Sequence, residues 1–181
     1  LKLLHYIFVL ILLTSSDYLS ACDCKELGGL DSLREKGFRF SDLVFHGELL
    51  EITDSSFSIR VIESFKGEYQ SETIIGKAVT SCSLFPKHKG QWIIYANYNT
   101  NETYIDISQC LSSRSRVEPW CTYCYDPPPP PQLKNKMTKE EKLVEERAFN
   151  QYERDTKMKA VEDWDRELVL LRQMRELRKY D

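Results

Sequence analysis

From Leu43 onward the chain carries short apolar runs separated by turn residues. LVFHGELLEI (43–52) reads as a strand interrupted by Gly47, which marks a bulge or a tight bend. SFSIRVIESF (56–65) alternates, with Phe57, Ile59 and Val61 on one face and Ser58, Arg60 and Ile62 on the other. Asp54-Ser55 between these runs is a hairpin turn, and Lys66-Gly67 ends the second strand. ETIIGKAVTSC (72–82), QWIIYANY (91–98) and ETYIDIS (102–108) supply a third, fourth and fifth strand, the last two joined by a short Asn/Thr turn. Upstream, Ser32-Leu-Arg-Glu35 has the form of a capping box opening a short helix that Gly37 ends. Five closely spaced strands and one helix predict a mainly β fold, a small five-stranded barrel.

The period then changes. Thr138-Lys-Glu-Glu141 is a second capping box, and no helix breaker occurs over the 42 residues from Lys139 to Tyr180. Such a helix is roughly 63 Å long. Val161, Trp164, Leu168, Leu171 and Met174 form one apolar stripe at steps of three and four, with a looser set, Leu143, Phe149 and Tyr152, upstream. Residues 133–181 hold 13 Lys/Arg and 12 Asp/Glu. That balance favours a solvated face with i,i+4 pairs over a basic membrane-binding face. The stripe must be buried somewhere: on the barrel, on a second copy in self-association, or on a protein partner.

Between the two patterns lies DPPPPP, Asp126 to Pro131. Five prolines make a stiff polyproline rod of roughly 15 Å with no donors for helix or sheet. The chain therefore divides into a leader (1–21), a barrel domain (22–126), a proline linker (127–132) and a long charged helix (133–181). On this division the helix adds no essential support to the barrel.

Composition changes the picture at the N-terminus. Lys2 precedes an apolar core from Tyr6 to Leu13, followed by the small polar stretch TSSDYLSA. That is the order of a signal peptide, and the core is too short for a span of ~20 residues. Cleavage after Ala21 leaves Cys22 first and makes the protein secreted. Leu19-Ser-Ala-Cys22 also has the shape of a lipobox, which makes Cys22 a lipid anchor and the protein a lipoprotein of the cell envelope. Six cysteines (Cys22, Cys24, Cys82, Cys110, Cys121, Cys124) behind such a leader read as a disulfide framework with fifteen connectivities open. Asn101-Glu-Thr103 is a glycosylation acceptor in a eukaryotic host. Net charge is −3 with no basic stripe, which argues against a nucleic-acid partner.

Two cysteine motifs need separate treatment. Cys22 and Cys24 flank a single Asp23, too close to bond one another, so each sulfur turns to a distant cysteine, a metal or a lipid. Trp120-Cys121-x-x-Cys124 matches a thiol–disulfide motif, but Pro119 precedes it and Asp126-Pro127 follows. No helix N-terminus is then in place to lower a thiol pKa, and a local Cys121–Cys124 bridge is the expectation. Intrinsic zinc binding there needs two further ligands, and His46 and His88 stand isolated. No phosphate-binding glycine loop and no nucleophile elbow occurs. The chain reads as a binder without cofactor, not an enzyme.

Several of these residues together resemble the netrin-like domain, the fold of the tissue inhibitors of metalloproteinases. They are Cys22-Asp-Cys24, Asp42-Leu-Val-Phe45-His-Gly47, Phe65-Lys-Gly67, Ser81-Cys82, Gly90-Gln-Trp-Ile-Ile-Tyr95-Ala96 and Cys110. The likeness covers residues 22 to about 110. It implies an OB-type five-stranded barrel and the bridges Cys22–Cys82 and Cys24–Cys110. It also implies an inhibitory wedge of Cys22, Asp23 and Cys24. In that wedge the α-amine and carbonyl of the first cysteine chelate the zinc of a target metalloprotease, and the next residue faces the specificity pocket.

Overall fold

The computed structural model describes residues 22, 24, 29–69, 71–99, 101, 103–119 and 137–178. In chain order the elements are α1 (Leu30–Phe40), β1 (Leu43–Ile52), β2 (Phe57–Lys66), β3 (Thr73–Gly76), β4 (Gly90–Tyr98), β5 (Ile105–Ile107), β6 (Arg114–Ser115) and α2 (Lys139–Leu177). The strands run β1-β2-β3-β5-β4, and β4 pairs back with β1, so five strands close a barrel; β6 adds a short sixth strand on β4. Every pairing is antiparallel except β3 with β5. The mainly β expectation holds at this level. No helix among the described residues is long and apolar enough to cross a membrane.

Alternation explains how the barrel fills. Leu43, Phe45 and Leu49 of β1, Phe57 and Ile59 of β2, and Trp92, Ile94 and Ala96 of β4 point inward with Ile74, Ile105 and Ile107. The register slips between His46 and Gly47, the irregularity expected at that glycine. A Cβ on Gly47 would come within 2.5 Å of the Ile59 Cγ2, so the close approach of β2 requires glycine there.

The other face of β1 and β4 is also apolar, and it builds a second core. Val44, Phe65, Ile93 and Tyr95 pack with Trp164 and Leu171 of α2, flanked by Phe38, Leu111, Leu168 and Met174. β4 is thus buried on both faces, which is why QWIIYANY has little alternation.

Three expectations are corrected. α1 starts at Leu30, with Gly29 as an N-cap that makes no side-chain hydrogen bond, so Ser32 is inside the helix. Gly37 does not end α1; it lies within it, where a Cβ would stand 2.8 Å from the Tyr95 ring. The third strand stops at Gly76 instead of running to Cys82. Beyond it, the Ser83 hydroxyl accepts the backbone N–H groups of Val79 and Thr80, each at 3.0 Å, and holds a turn.

The long helix is present with its capping box: the Thr138 side chain accepts from the Glu141 N–H, and the Glu141 carboxylate accepts from the Thr138 N–H. Its place differs from the expectation. Ala160, Trp164, Glu167 and Leu171, at steps of four, three and four, are buried against the barrel. The C-terminal half of α2 therefore supplies part of the core, because the outer face of β1 and β4 would otherwise expose Val44, Ile93 and Tyr95. The proline linker and the Cys121–Cys124 pair lie outside the described residues.

Candidate functional site

The cysteine clamp gathers at one end of the barrel. Cys22 is bridged to Cys82 and Cys24 to Cys110, with Cα–Cα separations of 4.9 and 5.3 Å. Cys82 sits in the turn after β3, and Cys110 follows β5. Their loops are stitched together by main-chain pairing. The Gln109 N–H donates to the Cys82 carbonyl at 2.9 Å, Ser83 bridges to Ser108, and the Gln109 side-chain amide donates to the Ser81 carbonyl at 3.0 Å. The four sulfurs crowd together: Cys22 Sγ lies 3.5 Å from Cys110 Sγ and 3.7 Å from Cys24 Sγ.

This arrangement does two things chemically. It leaves no free thiol among the described cysteines. It also ties both ends of a three-residue segment to different loops, fixing the direction of the backbone at Cys22. The sulfur that a lipid anchor would occupy is used in the bridge to Cys82. Asp23, between the two fixed cysteines, lies outside the described residues, as do Cys121 and Cys124.

The helix stripe behaves differently from a free binding surface. Trp164 and Leu171 are sealed in the second core, Leu168 and Met174 are partly buried there, and Val161 is half-buried. Val161 lines a shallow cavity of about 360 Å³ with Gln91, Arg116 and Val117. Of the places open to the stripe, the barrel wall takes Trp164, Leu168, Leu171 and Met174.

Sequence reasoning missed the polar hub beneath the helix. Glu167 is fully buried, and its carboxylate accepts from Tyr95 Oη–H at 2.7 Å, from Arg114 at 2.8 Å and from Arg34 Nε at 3.0 Å. Arg34 also meets Asp31 at 2.7 Å, one turn earlier in α1. Burial, reinforced by the Glu167 charge, holds the Tyr95 phenol well above its ordinary value. The hub joins α1, β4, β6 and α2 at one carboxylate. A signal was present: Glu167 falls between Trp164 and Leu171 on the apolar face, where an unpartnered charge is costly.

Around the hub lies a looser ring. Glu63 on β2 accepts from Arg172 at 2.8 Å and Arg175 at 3.1 Å, which draws its carboxyl below the ordinary range, the Arg172 hydrogen bond leading. His46 stands edge-on to Trp164, ring centroids 5.4 Å apart, and burial lowers its pKa.

No protein-family model matches the chain, and no curated protein matches it.

Proposed function

We propose that this is an exported binding protein of the netrin-like kind, acting through its disulfide-clamped start at Cys22 as an inhibitor of a zinc metalloprotease. The observation that carries the proposal is the double clamp, with Cys22 and Cys24 each bridged to a different loop at one end of the barrel. The strand order β1-β2-β3-β5-β4, closed on β1 with β3 parallel to β5, supports the OB-type likeness.

In this mechanism processing after Ala21 frees the Cys22 α-amine. Such an amine has a pKa of ~8, so a useful fraction is neutral and can donate its lone pair. Amine nitrogen and carbonyl oxygen of one residue close a five-membered chelate on the protease zinc and displace the water that would attack substrate. The bridges pre-organise the segment, which removes an ordering cost on binding. Asp23 then restricts the target. A carboxylate buried in an apolar pocket costs several kcal/mol unless a cation meets it, so the fitting protease presents a cation or open water at that position.

The test compares protein beginning at Cys22 with the same protein carrying one extra alanine before it. The first is expected to inhibit a zinc metalloprotease and the second to have lost inhibition, with identical disulfides and circular dichroism. Equal inhibition by the extended form would remove the chelate mechanism.

A second role, as a surface interaction protein working through α2, is favoured by one observation. Leu143, Val144, Phe149 and Met158, all N-terminal to the docked half, are exposed. In that role the clamp only staples the barrel.

A further inference from the structure

We propose that Cys22, Cys24, Cys82 and Cys110, when reduced, form a site for one thiophilic divalent cation, with Zn²⁺ as the reference ion. The cluster then has two alternative states, two disulfides or one metal tetrathiolate. The inference is independent of the protease reading, because it uses side-chain sulfurs and not the α-amine.

Geometry comes first. Zinc bound by four cysteines has Zn–S distances of about 2.3 Å, which puts neighbouring sulfurs on tetrahedral edges of roughly 3.8 Å. Two non-bonded pairs already stand near that spacing, Cys22–Cys24 at 3.7 Å and Cys22–Cys110 at 3.5 Å. The sulfurs of Cys22, Cys24 and Cys110 lie within 4.8 Å of one another. Cys82 is the fourth ligand, held beside Cys22 by its bridge. The two bonded pairs must open to the tetrahedral edge, and Cys82, which stands outside the group of three, must close on it.

The receiving half of the site does not depend on the bridges. The Cys82 and Cys110 loops are tied by the Gln109 N–H to the Cys82 carbonyl, by the Ser83–Ser108 pairing, and by the Leu84 N–H to the Ile107 carbonyl. Reduction therefore leaves the two loops that carry Cys82 and Cys110 side by side. The Cys-x-Cys segment brings the other pair as one short chelating unit. All four cysteines are half-buried, so a reductant and an ion can reach them. Four sulfur donors select zinc and other soft ions over magnesium or calcium.

The chemistry balances as follows. A phosphine gives two electrons to each disulfide and becomes its oxide with oxygen from water, whose two protons go to the sulfurs. A cellular dithiol does the same by exchange and closes to its own disulfide. Zn²⁺ then replaces four thiol protons, giving a complex of charge 2−.

The test uses the protein carrying Cys121→Ser and Cys124→Ser, so that only the four clamp cysteines remain. It is reduced with a phosphine, freed of reductant anaerobically, and titrated with Co²⁺. One ion per chain with a tetrahedral thiolate spectrum, displaced by Zn²⁺, is expected, and Zn²⁺ should raise the thermal midpoint of the reduced protein. A reduced chain that folds only when Zn²⁺ is added supports the site equally, since metal binding can supply folding free energy. Adding Cys82→Ser should weaken Co²⁺ binding by at least about tenfold, the smaller loss that follows even when an outer partner of a ligand is removed. Absence of the thiolate spectrum, more than one ion per chain, or a spectrum and affinity indifferent to Cys82→Ser would overturn the proposal.

Discussion

The two halves of α2 carry similar residues and meet different fates. Both mix acidic and basic side chains, and both contain large apolar ones. From Lys139 to Lys159, Leu143, Val144, Phe149 and Met158 are exposed. From Ala160 onward, Ala160, Trp164, Glu167 and Leu171 are buried, and Arg172 and Arg175 reach Glu63 on β2. Apolar content does not separate the halves; spacing does. Steps of four, three and four keep one face on line with the outer surface of β1 and β4, whereas the upstream apolar residues scatter around the helix. The docked half also brings a charge that finds three donors, so its register is fixed as well as its burial.

The largest expected effects test that docked face. Glu167→Ala leaves Arg34 and Arg114 buried without their shared carboxylate, and removing one member of a buried ionic group costs about 3–5 kcal/mol. Trp164→Ala removes a fully buried indole from the second core, with an expected loss of about 3–5 kcal/mol. Urea unfolding followed by circular dichroism measures both. A loss below about 1 kcal/mol in either would mean that the helix merely rests on the barrel. The two are not expected to add, because both residues belong to one contact between α2 and the wall.

Acid should loosen the same seam. His46 lies under Trp164, and burial disfavours its charged form; Gln91 and Glu63 oppose that shift, while Arg172 and Arg116 add to it. Its native pKa is lowered from 6.5, so its contribution is complete above 6.5 and drains as pH falls through the lowered native value. Glu63 acts at lower pH. Its value is lowered from 4.5, chiefly by Arg172, so its stabilisation is present above 4.5 and is lost as pH falls through the native value. Hydrogen exchange of α2 amides across this range is expected to show earlier opening of residues 160–177 than of the β1–β4 ladder. Simultaneous opening of both would mean that the seam is no weaker than the barrel.

Much of the barrel could be read from alternation. β1, β2 and β4 fall within a residue of the apolar runs, because inward residues every second position leave a periodic trace. The third strand is shorter than its run of strand-like composition: the Lys77 N–H still donates to the Ile105 carbonyl of β5, but the N–H groups of Val79 and Thr80 turn to the Ser83 hydroxyl. The docking of α2 was also written in the sequence, though less directly. Trp92-Ile-Ile-Tyr95 is apolar on both faces, and a strand of that kind requires a cover on each side. Only side-chain placement reveals what the cover is. The Arg34–Glu167–Arg114 hub could not be paired from sequence, because its members lie 133 and 53 residues apart. At the clamp, the family likeness named the pairing that the structure contains, whereas composition alone left fifteen connectivities open. The crowding of the four sulfurs follows from the loop stitching at Gln109 and leaves no periodic trace.

The smallest expected effect sharpens the comparison from the other side. Leu143, Phe149 and Met158 are exposed, and their replacement by alanine removes little buried surface. Alanine is also the strongest helix former, so each change gains a few tenths of a kcal/mol in propensity, against the few tenths lost in side-chain contacts. The triple variant Leu143→Ala, Phe149→Ala, Met158→Ala is therefore expected to unfold within about 1 kcal/mol of the native protein, with unchanged helix content. Thermal melts at two protein concentrations a hundredfold apart complete the measurement. A stability independent of concentration in both proteins places the upstream half in solvent within a single chain. A large loss at every concentration would show that these side chains pack within their own chain, and the contrast between the halves would fail. A loss confined to the higher concentration would mean instead that a second copy covers the arm, since only association ties stability to protomer concentration. Three side chains removed without consequence, against one indole whose removal costs several kcal/mol, would establish that α2 is held by its face from Ala160 to Leu171 and not by its length.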